Sequence, residues 1–131
     1  MRRDIPIDEL AGFLDRPNIA VLATFRGDGG VLLSPVWYEW RDDGFNVASS
    51  GDDVKVRQLS RDPRASIVVA EQAPPYTGVE VRGDARLVRD GARDIARRIA
   101  ARYGDDAEDD VVIRLAPGAL RTWDFADRYP A

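Results

Sequence analysis

The segment Ser49-Ser-Gly-Asp-Asp-Val-Lys-Val-Arg57 sets small residues, two carboxylates and two cations across the join between a strand end and a helix start. The first backbone N–H groups of a helix lack internal partners and carry the positive end of its dipole. Small residues ahead of them let an anion approach. Lys55 and Arg57 add charge within about one turn, and together these features suit a phosphate. The same residues also suit a capped surface helix, with Ser50 or Asp52 as the cap and both cations in water. Asp52 and Asp53 weigh toward that second reading, because a carboxylate cap competes with an anionic ligand.

A second candidate is Ser34-Pro35, which interrupts a strand-like run. Proline cannot donate to a β-ladder, so it marks an edge or a bulge. Backbone groups near it need partners other than a neighbouring strand. A planar heteroaromatic ligand with donors and acceptors on its rim is one such partner, and an edge strand with nothing bound is the other reading.

The rest of the composition narrows the chemistry. The 131 residues contain no His and no Cys, and all but one of the 19 basic residues are Arg, the exception being Lys55. A thiolate nucleophile, a triad base, a disulfide framework and a His- or Cys-based metal site are excluded. Any reaction must use carboxylates, Arg, Lys55, hydroxyls, backbone groups or a borrowed cofactor. No metal ligand set is assigned. Asp105-Asp-Ala-Glu-Asp-Asp110 matches a calcium loop in charge alone and reads as a solvated loop. A net charge of −4 argues against phosphate-neutralising nucleic-acid binding. The apolar runs fall far short of the roughly 20 residues a membrane span needs, and no apolar signal segment follows Met1, so a cytoplasmic location is expected. Trp37, Tyr38, Trp40, Tyr76 and Trp123 read as core or interface aromatics, and Arg97-Arg98 as a solvated helix face.

The elements that position these residues follow from hydrophobic period and turn signals. A short helix with Asp8 as its cap opens the chain and Pro17 ends it. Asn18–Phe25 suits a strand buried on both faces; Val31–Trp40 and Phe45–Ser49 complete a meander of adjacent antiparallel strands. A helix from about Asp53 to Ser60 follows, then strands Arg64–Glu71 and Val79–Val88, the latter alternating apolar and polar. Asp90 caps the longest helix, which Gly104 closes; Val111–Leu115 and Ala119–Phe125 are the last strands, before a polar, frayed tail from Ala126. The expected fold class is mainly β with peripheral helices (α+β): six to seven mostly antiparallel strands closing toward a barrel, in one domain spanning residues 1–131.

Five segments in this order resemble a known family. They are Ile19-Ala-Val-Leu-Ala-Thr24, a Gly-rich turn, Leu33-Ser-Pro-Val-Trp-Tyr38, Lys55-Val-Arg-Gln-Leu-Ser-Arg-Asp-Pro-Arg-Ala-Ser66 and Val79-Glu-Val-Arg-Gly83. The chain is similar to the pyridoxamine 5′-phosphate oxidase-like superfamily, and within it to the branch that uses the deazaflavin coenzyme F420. The resemblance runs from about Phe13 to Phe125. It implies a split β-barrel and a homodimer with cofactor sites between the subunits. It places the cofactor ring against Leu33, Ser34, Pro35 and Val36, and the phosphate-bearing tail over Ala48, Ser49, Ser50 and Lys55, with Arg57 in reach. Tyr76 and Gly78 come from the partner subunit on this pattern. The implied activity is hydride transfer to a small organic substrate, with no catalytic residue assigned. Deazaflavin-binding relatives tend to carry an Arg two positions before the lysine, where this chain has Asp53. FMN, with one phosphate and a shorter tail, suffers less from that carboxylate, and a binding protein without turnover uses the same barrel.

Overall fold

The computed structural model describes residues 1–129. A two-residue strand β1 (Arg2–Arg3) leads to a 3₁₀ turn (Ile7–Leu10) and a single helical turn, α1 (Ala11–Leu14). Leu10, Phe13 and Leu14 are buried and Ala11 is exposed. Asp8 lies inside the 3₁₀ turn, whose first flanking residue is Pro6, so it is no cap. Then follow β2 (Ala20–Phe25), β3 (Val31–Val36), β4 (Glu39–Trp40), β5 (Phe45–Ser49) and α2 (Val54–Arg61). The remaining elements are β6 (Arg64–Ala70), β7 (Gly78–Asp84), β8 (Arg86–Val88), α3 (Ala92–Arg102), β9 (Val111–Leu115) and β10 (Ala119–Asp124).

Seven of these strands have five or more residues; the other three are short pieces at sheet margins. They form two antiparallel sheets, β1-β10-β7-β6-β2-β3 and β4-β5-β9-β8, so the barrel is split rather than closed. Two expected strands are shared between the sheets. Val31–Trp40 breaks at Trp37-Tyr38, leaving β3 at the edge of the large sheet and β4 in the small one. The expected meander is corrected accordingly: β5 pairs with β4 and β9, not with β3. The Val79–Val88 run breaks at Ala85, whose N–H leaves the ladder for the Pro63 carbonyl at 2.7 Å. A Cβ on Gly83 would lie 2.8 Å from the Ala116 carbonyl oxygen, so glycine lets the corner strands approach closely.

Alternation then decides what is inside. Leu22, Ile67, Val69, Val79 and Val81 of the large sheet pack against Phe45, Val47, Ile113 and Leu115 of the small one, with Val56 and Leu59 of α2 closing one end. The Asn18–Phe25 run was expected to be buried on both faces; β2 instead alternates buried and half-buried residues. On its outward face Val21, Ala23 and Phe25 lie opposite Pro35, Leu33 and Val31 of the edge strand. Leu33 is 63% exposed and Val31 49%.

α3 covers the outward face of the small sheet through Ala96, Ile99 and Ala100, all buried. Its first flanking residue is Gly91 at φ +72, not Asp90, because the chain enters the helix through a left-handed turn that favours glycine. Gly104, at φ +71, ends it, with the Asp105 N–H on the Ala100 carbonyl. The tail is not frayed as far as Tyr129. Its N–H bonds the Phe125 carbonyl at 2.7 Å, and Asp127 holds the N-terminal ammonium at 3.0 Å. Among the described residues, no helix is long and apolar enough to cross a membrane.

Candidate functional site

The split leaves a cleft of about 450 Å³ between the end of β3, β5, the start of α2 and α3. Four residues singled out from the sequence line it: Pro35, Val36, Ala48 and Lys55. Three different elements supply them. Pro35 lies on an edge strand because it has no N–H to donate to a further neighbour. Ala48 projects on the helix-covered side of β5, where a small side chain leaves room. Lys55 stands in the first turn of α2.

The other candidates lie elsewhere in the chain. Leu33 and Ser34 continue along β3 away from the cleft lining. Ser49 is buried, its hydroxyl on the Ser50 carbonyl, and Ser50 caps the turn through the Asp52 N–H. Arg57 is exposed on α2. Tyr76, at φ +59, packs edge-on against Tyr129. Gly78 is buried opposite Trp123, and a Cβ there would come within 2.2 Å of the indole, so packing alone demands glycine.

Sequence reasoning missed the remainder of the lining. Trp37, Ala96, Ile99 and Ala100 build an apolar wall, and Asp106, Ala107, Glu108 and Asp109 form the rim. The acidic stretch read as a solvated loop therefore borders the same space as Lys55. Asp110 anchors it by accepting the Gly51 N–H at 2.8 Å. Arg97 and Arg98 are exposed as expected, and Arg98 in addition bonds Glu39, a buried carboxylate that also accepts from Asn46 at 2.9 Å. Burial pushes the Glu39 carboxyl up, but the Arg98 and Asn46 hydrogen bonds outweigh it and hold the group below the usual glutamate range. This network pins α3 over the cleft.

The charge of the cleft is unusual for a phosphate site. Lys55 donates to Asp53 Oδ2 at 2.7 Å, and its side chain is only 13% exposed. That bond, with the attraction of the ammonium, holds Asp53 below the ordinary aspartate range. At the apolar end, Trp37, Ala96, Ile99 and Ala100 offer a wall to a planar ring. At the other end the Lys55 ammonium is placed and largely desolvated but already paired, so a phosphate there must displace Asp53.

A family model described as pyridoxamine 5′-phosphate oxidase matches residues 7–124. The chain belongs to the pyridoxamine 5′-phosphate oxidase family. Solved structures carry the same fold. A conserved hypothetical protein of Mycobacterium tuberculosis superposes with a TM-score of 0.80 at 23% identity, covering 92% of this chain and 86% of that one. An F420 reductase superposes with a TM-score of 0.73 at 25% identity, covering 83% and 93%. A FAD-binding protein of Mesorhizobium loti gives 0.69 at 20% identity, covering 92% and 93%. This member of the pyridoxamine 5′-phosphate oxidase family has the split pair of antiparallel sheets, and its only lysine, Lys55, is paired with the Asp53 carboxylate.

Proposed function

We propose that the protein is an oxidoreductase that binds coenzyme F420 in this cleft and transfers a hydride to a small organic acceptor. The observation that carries the reading is the convergence of Pro35, Val36, Ala48 and Lys55 on one cleft beside an apolar wall. The likeness to an F420 reductase supports it. The deazaflavin supplies the hydride chemistry when bound. Pro35 and Val36 would border its ring inside the cleft, and Leu33 and Ser34 would extend that contact along β3 outside the lining, with main-chain groups of the edge strand meeting its rim. Ala48, Ser49, Ser50 and Lys55 would take the phosphate-bearing tail, and Arg57 would add charge from the next turn of α2.

We read residues 1–131 as one domain that works as a homodimer, with Tyr76 and Gly78 contributed across the interface. The outward face of β2 and β3, lined by Val21, Ala23, Phe25, Val31, Leu33 and Pro35, supports this. It is a contiguous apolar surface on an otherwise charged protein.

FMN is the second reading, favoured by the Lys55–Asp53 pair, since one phosphate suffers less from that carboxylate than a longer anionic tail. Titration with F420, followed by its fluorescence, with FMN in parallel, tests both. Saturation by F420 and exchange of reducing equivalents with an acceptor are expected. Saturation by FMN alone overturns the deazaflavin reading, and tight binding without exchange makes the protein a carrier.

A further inference from the structure

We infer that Trp37 is the ring-contacting residue of the cleft, a fixed aromatic wall for a planar heteroaromatic ligand, and that Tyr103 is the positioning residue that holds it. The inference deepens the cofactor reading and rests on it. Trp37 lines the cleft directly after Pro35 and Val36, at the point where the chain leaves β3 and the large sheet. Its indole lies on the Tyr103 ring with centroids 4.7 Å apart and planes 5° from parallel. An indole lying loose over a cleft would lose rotational freedom on binding a ligand, whereas one already stacked has little left to lose.

The backing ring is itself held from several sides. The Tyr103 hydroxyl donates to the Asn18 carbonyl at 2.7 Å and accepts the Tyr38 N–H at 3.2 Å. The Arg102 guanidinium lies over both the Tyr103 and Tyr38 rings. It also donates to the carbonyls of Tyr38 and Asp15, at 3.0 Å each, tying the end of α3 to the end of α1. A core that needed only apolar filling would not require this. The parallel stack, the two bonds to one hydroxyl and the cation above it all fix the plane of Trp37. An electron-rich indole in a fixed plane suits an electron-poor fused ring, and Ala96, Ile99 and Ala100 shield the same space from water.

The test measures binding of riboflavin, FMN and F420 to the wild-type protein and to Trp37→Ala, Trp37→Phe and Tyr103→Leu. Riboflavin has no phosphate and so reads the ring contact without the Lys55–Asp53 pair. Trp37→Ala is expected to weaken every ligand that binds by about tenfold, the usual size of a lost aromatic stack. Tyr103→Leu should weaken binding less. Trp37→Phe should stay within about threefold of wild type, while the long-wavelength charge-transfer shoulder that an indole in ring contact gives the bound oxidised ligand is weakened. That shoulder needs the two rings in contact, so a merely structural Trp37 would not move it. Unchanged affinity in Trp37→Ala together with an unchanged absorption spectrum of the bound ligand in Trp37→Phe overturns the inference and leaves the cofactor reading standing. Absence of binding by all three ligands to the wild type overturns the cofactor reading, and this inference with it.

Discussion

Lys55 donates to Asp53 Oδ2 at 2.7 Å, so the only lysine of the chain already holds an anion that the chain itself provides. A phosphate arriving at Lys55 competes with Asp53 and is repelled by it. In Asp53→Asn the repulsion goes and the ammonium is released. At a few Å in a partly exposed site, one charge is worth on the order of tenfold in affinity. FMN and F420 should therefore bind Asp53→Asn about threefold to tenfold more tightly by fluorescence titration, and riboflavin should not respond. Lys55→Ala should weaken both phosphate-bearing ligands. Unchanged FMN affinity in both variants would remove Lys55 from the site.

How much of this was legible in the sequence depends on whether the signal was local. Pro35 announced an edge because a missing N–H is a property of one residue. Lys55 and its neighbours announced a strand-to-helix join for the same reason. The breaks at Trp37-Tyr38 and Ala85 were invisible, since alternation carries straight across both corners while the backbone changes sheets. Asp90 is a good cap by type, yet Gly91 holds the left-handed position that starts α3. The acidic loop is mostly exposed as expected, but nothing within it records that Asp110 ties it to Gly51 beside the cleft. Arg98 likewise gives no sign of Glu39, 59 residues away.

Asp106, Glu108 and Asp109 border the cleft, and Lys55 is the one cation among its described lining residues. They lower the local potential that an anionic cofactor meets. The triple variant Asp106→Asn, Glu108→Gln, Asp109→Asn should bind FMN several-fold more tightly at low salt. The gain should shrink at high salt, because exposed charges are screened within about 10 Å at 0.1 M. Isothermal titration at two ionic strengths checks it, and a salt-independent gain would point to loop rearrangement instead.

Glu39 is 5% exposed and bonded to Arg98 and Asn46. Glu39→Gln leaves the partly exposed guanidinium without its counter-charge and should cost about 1–3 kcal/mol. The folded-state carboxyl titrates below its unfolded value. Its contribution is therefore complete above the ordinary glutamate pKa of about 4.3 and is lost as pH falls through the depressed folded value. Urea midpoints of wild type and variant should differ at pH 7, and the gap should shrink progressively as pH falls below the ordinary glutamate pKa of about 4.3. A constant gap across that range would refute the ionic account.

Gly78 faces Trp123 across β7 and β10, and any Cβ there overlaps the indole. Gly78→Ala should destabilise the fold by about 1–3 kcal/mol through overpacking. Most of that cost should vanish in a Trp123→Leu background, giving a coupling energy of at least about 1 kcal/mol in a double-mutant cycle. Equal costs in both backgrounds would mean that Gly78 is required for something other than room for the indole.

Leu33 stands 63% exposed on the outward face of the edge strand, between Val31 and Pro35. A side chain in that position adds little to the stability of a protomer, so Leu33→Glu should leave the circular dichroism spectrum unchanged. Across a two-fold interface, the same substitution buries two carboxylates at once, because each surface patch meets itself. Light scattering should then give a dimer for wild type and a monomer for Leu33→Glu at micromolar concentration. Cofactor affinity should fall too, through the lost dimer, to which Tyr76 and Gly78 are proposed to contribute, and through Leu33 itself, which is proposed to border the ring. A wild type that scatters as a monomer while binding cofactor normally would show that one protomer completes its own site.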